Sequence, residues 1–569
     1  MIGAKALLRT LRKMGVERIF ASPGSEWAPL WEALAGEYAL GEIPEYLSSR
    51  HEETAVAMAT GYAKATGKLP AVVLHTTVGA LHATMGLRAA LHERIPMVVL
   101  AGESAGFAEA PAPHVGRQWL RLLTDVGGPA RLMEHCVKWS VGLNTAQLLP
   151  HTVQRACQLA MSHPKGPVFA SIPTEMLVET MSCDAAAAAL PSAPSAQPAA
   201  IDELARALCA ASNPVIVTEE LGRDRDAVPH LVALAESLGA PVIDAWRPFY
   251  VNFPRKHPLY GGVIGAEMAE VIEDADLVLL LECVGPWHPP SALPRAGVKV
   301  AVLGEDPLHP HLPFWGFRAD LVVAGESTSS LAMLVERVRK MVPAGSRAAA
   351  MARCGEAHVK RRAAWRDTAR AAGSASSIET RWVIRELNSV LPREAVVVNE
   401  TITHQPDIVR LLDELEPGAY YEAAYGGLGM GLGVALGVKA AQPRRPVIAL
   451  IGDGSFHYNP VVASFGAAQE HTLPVLVVLF DNAGYLSQKA DVLEAFPNGD
   501  AVRAQKFAGT SIYPRPEYAL LAQAYGGVGE RVQKPAEVRP AIERGLKAVA
   551  NGQLALIHVM LAPVNPAEG

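Results

Sequence analysis

In the last third of the chain, Gly452-Asp453-Gly454-Ser455 closes one apolar run and Asp481-Asn482-Ala483-Gly484 closes the next. Asp453 offers a carboxylate oxygen, Asn482 an amide oxygen and Gly484 a main-chain carbonyl. Mg²⁺ takes a few such hard oxygens from a protein and completes its octahedron with phosphate oxygens and water. The glycines let the backbone approach a phosphate closely. These residues therefore suit the holding of a diphosphate through a divalent cation. A plain strand-ending Gly-Asp-Gly turn is the alternative for the first motif taken alone.

Near the front, Ser49-Arg-His-Glu52 follows a short extended piece, Glu45–Leu47, and leads into small apolar residues at helical spacing through Gly61. Glu52 falls at this strand-to-helix junction. Upstream, Ile19-Phe-Ala-Ser22-Pro-Gly24-Ser25-Glu26 is a strand entering a glycine turn. Downstream, Val73-Leu-His75-Thr-Thr-Val-Gly79 is another. Ligands in open parallel sheets bind at the carboxyl ends of strands, so Ser25, Glu52 and His75 are placed to converge. Taken singly, Glu52 suits the positive end of a helix, Ser25 suits a helix cap, and His75 suits a core. Gly61 is expected to let its helix pack closely on the sheet.

The elements that must position these residues alternate along the chain. Strand-like runs at 18–22, 71–76, 96–101 and 167–172 precede a low-complexity, Ala- and Pro-rich stretch. A second block has runs at 214–218, 241–245, 275–281 and 298–303, and a third has them at 395–399, 447–451, 475–480 and 554–559. Strands alternating with helical stretches imply parallel sheets wrapped by helices. The expected fold class is α/β, with three doubly wound parallel-sheet domains at 1–183, 201–345 and 378–569. A linker at 184–200 and a charged, Arg-rich helical connector at 346–377 join them. Gly261-Gly-Val-Ile-Gly265 is a poor GxGxxG match and reads as a loop, so the middle block gives FAD no clear support.

At 569 residues the chain exceeds one core. Half its residues are apolar and 19% are charged, as in ordinary soluble proteins. A net charge of −6 gives no reason to expect nucleic acid or an anionic membrane as partner. The opening residues form an amphipathic helix broken by charge, unlike a signal peptide. The charge-free stretch 423–438 is too short and too rich in glycine to span a bilayer. Six scattered cysteines without a CxxC pair suit reduced thiols in the cytoplasm.

Several further pieces fall in one order: Ser22-Pro-Gly-Ser-Glu26, Leu74-His75, Val137-Lys-Trp-Ser140, Gly166-Pro-Val168, Phe253-Pro254, His257-Pro258, Asn399-Glu400-Thr401 and Gly426-Gly-Leu-Gly429, then Gly452-Asp-Gly-Ser455. In this order they resemble the thiamine diphosphate (ThDP)-dependent 2-oxoacid decarboxylase/carboligase superfamily. That superfamily includes acetolactate synthase, and the likeness is nearest to the benzoylformate decarboxylase group. The resemblance implies a pyrimidine-binding domain first, a middle domain second and a diphosphate- and Mg²⁺-binding domain third. It implies that Glu52 activates the pyrimidine, that Ser25 bonds the substrate carboxylate, and that His75 and His288 move protons. Leu428 would wedge the cofactor into a bent shape. Gly452, Asp453, Gly454, Ser455 and Asn482 would bind cofactor, and Asp453, Asn482 and the Gly484 carbonyl would ligate Mg²⁺. The implied chemistry is attack of a cofactor ylide on a 2-oxo acid, loss of CO₂, and protonation of an enamine to release aldehyde. Homo-oligomers, dimers or tetramers with active sites between subunits, are implied as well.

The sequence also departs from the pattern. Asp481 stands where many relatives carry a second Asn, placing an extra charge near Mg²⁺ and phosphate. His457 is an added candidate proton donor, and Thr403-His404-Gln405 differs from the benzoylformate pattern. The leading expectation is decarboxylation of a 2-oxo acid. The alternative is a carboligase or carbon–carbon lyase acting on 2-hydroxyketones or aldehydes. A regulatory, non-catalytic paralogue is a third reading, against which Glu52 speaks.

Overall fold

The computed structural model describes residues 1–37, 41–103, 125–181, 186–263, 265–313, 315–423 and 427–565. Their strands form three six-stranded sheets. The first holds β1 (Arg18–Ser22), β2 (Glu45–Ser48), β3 (Ala71–Leu74), β4 (Met97–Glu103), β5 (Trp139–Gly142) and β6 (Pro167–Pro173), in the order β2-β1-β3-β4-β6-β5. The second holds β7 (Pro214–Thr218), β8 (Val242–Asp244), β9 (Tyr260–Val263), β10 (Leu277–Leu281), β11 (Lys299–Gly304) and β12 (Leu321–Ala324), in the order β12-β11-β10-β7-β8-β9. The third holds β13 (Val396–Glu400), β14 (Tyr420–Glu422), β15 (Val447–Gly452), β16 (Leu476–Asp481), β17 (Val528–Val532) and β18 (Ala555–Met560), in the order β14-β13-β15-β16-β18-β17. Every pairing is parallel.

The first and third sheets share one strand order. The chain reverses direction across each sheet between its first and third strands, and a crevice opens there outside their carboxyl ends. β1 and β3 bring Ser25 and His75 to one such crevice. β13 and β15 bring Glu400 and Asp453 to the other. The equivalent edge strands, β2 and β14, lead to Glu52 and Leu428.

Each edge strand is followed by a helix, Glu52–Thr66 and Gly431–Ala441, and these two helices pack on each other. A Cβ on Gly61 would lie 2.1 Å from the Val434 carbonyl oxygen, and one on Gly437 would lie 1.9 Å from that of Met58. Gly61 thus serves helix-on-helix packing, not the helix-on-sheet packing expected from sequence. Both helices are buried almost throughout, and one apolar core runs from the first sheet through them into the third.

The fully buried inner strands lie where apolar runs place them. The edge strands β5, β9, β12, β14 and β17 carry weaker signals. Gly261 and Gly262 lie in β9, which corrects their reading as loop. β9 pairs with β8 through a register shift at Val242/Ile243, and Gly262 supplies a positive φ of 100°. The connector is the helix Ala348–Ala371. The linker is described from residue 186, and helix begins at Pro198. Gly426 of the glycine-rich motif lies outside the described residues.

Candidate active site

The Ser22-Pro-Gly-Ser turn leaves β1 and becomes a single 3-10 turn, Ser25–Trp27. The buried Trp27 indole donates to the Leu74 carbonyl at 2.8 Å, which pins this turn to the end of β3. Glu26 is thereby sealed in the interior, with Oε2 2.9 Å from His75 Nδ1. Only glycine fits at Gly24, where a Cβ would lie 1.9 Å from His75 Nδ1. The Glu26 hydrogen bond raises the His75 pKa; burial opposes it, and the charges of Glu26 and Glu52 add to the rise. Ser25 stands exposed at the start of the turn.

His51 caps the next helix, its Nδ1 accepting from the Glu53 amide at 3.2 Å. Glu52 is the first helical residue, and its Oε2 lies 3.2 Å from His82 Nδ1. The His51 and His82 rings stack at 5.3 Å, 8° from parallel. Gly79 separates Glu52 from His75: a Cβ there would lie 2.9 Å from His75 Cβ and 3.3 Å from Glu52 Oε1. Glu52 and His75 are therefore neighbours, as expected. Glu26 and His82 are the partners that sequence reading missed. Glu26 lay within a quoted motif but had no assigned contact, and nothing local marks His82.

In the third sheet a small cavity of about 50 Å³ is lined by Leu428, Gly452, Asp453, Gly454, Ser455, Asn482 and Gly484, with Thr403 and His404 beside them. The expected cofactor-binding residues other than Glu52 thus share one wall. Asp453 Oδ1 accepts from Gly454 N at 2.8 Å and Oδ2 from Gly484 N at 3.0 Å. Burial, with the Asp481 charge facing it, pushes the Asp453 carboxyl up to about 8. A bound cation would relieve that cost. The donors on offer, a carboxylate, an amide oxygen and a carbonyl, are the hard oxygens Mg²⁺ prefers. The residues fit a diphosphate held through that ion.

Asp481 does not act as a loose charge. Burial opposes its ionisation, but hydrogen bonds from His558 and Ala483, with Arg515 nearby, hold its pKa below the usual value. His558 Nε2 lies 2.7 Å from Asp481 Oδ2. Burial lowers His404 to about 4, so the imidazole is neutral, 2.9 Å from Thr380 Oγ1. His457 bonds the Tyr518 hydroxyl at 2.8 Å and is not among the cavity's lining residues.

Glu400, at the end of β13, positions Leu428. It accepts from Gly429 N at 2.8 Å, Met430 N at 2.7 Å and Asn459 Nδ2 at 2.6 Å. Gly429 has φ 111°. Burial outweighs these bonds and raises Glu400 to about 7. Burial likewise raises Glu53 to about 7, with repulsion from Glu400 added. The Gly86 backbone amide opposes the rise, but among the described residues no well-formed hydrogen bond reaches either Glu53 oxygen.

His288 sits on an exposed bend after β10. Among the described residues no hydrogen bond or ion pair joins it to the other expected site residues, and none joins Glu52 or His75 to the Asp453 wall. Within the described residues, the Glu52–His75 group and the Asp453 wall are two separate clusters.

Comparison with known proteins matches the chain in three consecutive pieces. The N-terminal TPP binding domain of thiamine pyrophosphate enzymes matches residues 1–116, their central domain 201–306, and their C-terminal TPP binding domain 403–559. A benzoylformate decarboxylase of Pseudomonas aeruginosa is 29% identical, with 98% of each chain covered. The large subunit of acetolactate synthase isozyme 3 of Escherichia coli is 25% identical, over 98% of this chain and 94% of that one. The structure of a ThDP-dependent 4-hydroxybenzoylformate decarboxylase of Rhodococcus jostii RHA1 superposes with TM-score 0.80 at 25% identity, covering 99% of both chains. With all three domains present in family order, the chain belongs to the thiamine pyrophosphate enzymes.

Proposed function

We propose that this protein is a ThDP- and Mg²⁺-dependent non-oxidative decarboxylase of a 2-oxo acid, aromatic and similar to benzoylformate, releasing an aldehyde and CO₂. The end-to-end likeness to a benzoylformate decarboxylase carries this reading. Asp453, Asn482 and the Gly484 carbonyl would hold Mg²⁺; Gly452, Gly454 and Ser455 would lie against the diphosphate; Leu428 would press on the middle of the cofactor. Bound ThDP would supply a carbon nucleophile and an electron sink for CO₂ loss.

The chain's own residues hold and move protons. Glu52 would hydrogen-bond the pyrimidine ring, and its contact with His82 supports an orientation that leaves the other oxygen for that bond. With Nδ1 engaged by Glu26, His75 keeps Nε2 for delivering a proton. Ser25 is exposed where a substrate carboxylate would meet a hydroxyl, and His288 would supply a second imidazole from the middle domain. The separation of the two half-sites supports a homo-oligomer, dimer or tetramer, in which Glu52 of one protomer serves the Asp453 wall of its partner. The described cysteines are free thiols, which suits the cytoplasm.

The likeness to an acetolactate synthase subunit favours a second reading, carboligation to 2-hydroxyketones. A donor panel with ThDP and Mg²⁺ separates the two. CO₂ release from aryl 2-oxo acids is expected to exceed hydroxyketone formation from any aldehyde. Silence with every 2-oxo acid would sink the decarboxylase reading.

A further inference from the structure

The connector helix Ala348–Ala371 does more than join two sheets. Its arginines face the helices Thr380–Val390 and Gln405–Leu411 across a pocket of about 230 Å³. Arg362, Arg366, Arg370, Arg385 and Arg410 line it against a single carboxylate, Asp413. That carboxylate is already spent: Arg362 and Arg366 both pair with it, the latter at 2.9 Å, and Asn388 donates to it at 3.0 Å. Arg370 and Arg385 pair with the flanking Asp367 and Glu386. Arg410 lies 5.8 Å over the Trp365 ring; its charge is felt by Asp407 on the same helix, but among the described residues it forms no close ion pair.

A larger open groove of about 870 Å³ continues from it past Asn388, Ser389 and Asp413. Arg255 lines this groove. It is 2% exposed, bonds the Leu412 carbonyl through Nη1 at 2.8 Å and stacks 5.1 Å over Tyr420, yet among the described residues its Nε and Nη2 have no hydrogen-bond partner. Buried donors without acceptors are costly, and a cluster of like charges repels itself. Both costs fall when an anion arrives. Guanidinium groups match phosphate oxygens two at a time, and the combined space is that of a small-molecule site.

We propose that this pocket binds a small anion carrying a chain of phosphates, such as a di- or triphosphate. The site is distinct from the Asp453 wall, but the helix that carries Arg410 starts beside His404, which lines that wall. An occupant would therefore hold an element that borders the cofactor cavity.

The test is calorimetric titration of the ThDP- and Mg²⁺-loaded protein with tripolyphosphate and, separately, with ATP in excess Mg²⁺. One saturable event per chain is expected. The triple variant Arg366→Gln/Arg385→Gln/Arg410→Gln should weaken it at least tenfold, and Arg410→Gln alone, which leaves the Asp413 pairs intact, should weaken it severalfold. Equal affinities for the two probes would assign recognition to the phosphate chain. Tighter ATP binding would place its nucleoside in the adjoining groove. Absence of saturable heat, or affinity unchanged in both variants, overturns the proposal. Decarboxylase activity is not the readout, so this result and that of the donor panel stand apart.

Discussion

His75 Nδ1 and Glu26 Oε2 are 2.9 Å apart, with the carboxylate sealed and 21% of the imidazole side chain still open. The carboxylate fixes the ring and favours its protonated form. Glu26→Gln should therefore lower the His75 pKa, and NMR titration of the ring protons reads it directly. Because the folded-state pKa is raised, the pair stabilises the fold fully below the unfolded value and loses that contribution as pH rises through the folded value. The melting temperature of Glu26→Gln should fall further below wild type at pH 6 than at pH 8. A His75 titration unchanged by the substitution would dismiss the pair.

Glu52→Gln keeps size and shape but cannot hold a proton in the same way. We expect ThDP and Mg²⁺ binding to survive and turnover to drop by about a hundredfold or more, the usual scale for a lost acid–base group. His82→Ala should cost only severalfold, since it frees the Glu52 carboxylate without removing it. Steady-state rates and cofactor titration on the same preparations decide this. A Glu52→Gln enzyme of full activity would remove Glu52 from the chemistry.

Glu53 is a buried carboxyl beside the charge of Glu400, with a pKa near 7. It stays neutral in the folded protein until pH approaches 7, whereas the unfolded chain releases its proton from about pH 4.5, so folding is penalised increasingly across that interval. Two and a half pKa units set an upper limit of roughly 3 kcal/mol on its share. Stability should decline between about pH 4.5 and pH 7, and Glu53→Gln should flatten that decline. Parallel melting curves for the two proteins across this range would refute the assignment.

Asp453→Asn keeps an oxygen in place but removes the charge that a divalent cation needs. Mg²⁺ affinity in the presence of ThDP should fall by about a hundredfold, the upper end seen when a metal site loses a supporting group. Calorimetry with Mg²⁺ measures it. Retention of wild-type affinity would move the metal elsewhere.

Gly437→Ala would drive a methyl into the Met58 carbonyl, with no side chain free to yield. Overpacking of this kind costs about 1–3 kcal/mol, and more when backbone must move. A clear fall in melting temperature is expected. Gly15→Ala is no control, because its φ of 86° strains any side chain. Gly166→Ala, whose nearest neighbour would be 3.6 Å away, serves better.

Much of this architecture was legible in the sequence because buried parallel strands are written as unbroken apolar runs. β1 and β7 lie where those runs put them, and Glu52, His75, Asp453 and Asn482 all fall at strand or helix junctions as expected. The edge strands β5, β12 and β17 escaped because half-exposed pleats such as Trp139–Gly142 carry mixed residues. The Glu26–His75 and Glu52–His82 contacts escaped for another reason: their partners lie 49 and 30 residues apart, and only the fold brings them together. Gly61 was read as a close-packing residue against a sheet, but its neighbour, Val434, belongs to a helix that follows a strand of the third sheet. The common strand order of the first and third sheets is likewise a property of topology that no short repeat in the sequence discloses.

Where the helices headed by Glu52 and Gly431 cross, backbone meets backbone at Gly61 and Gly437, with no flexible side chain to act as a cushion. The pair behaves as a single girder. An acid rides at the head of one member and, three residues before the other begins, a leucine faces the cofactor cavity. Neither can be repositioned by evolution or by design without displacing its counterpart, so both half-sites of a chain must drift in concert or hold still.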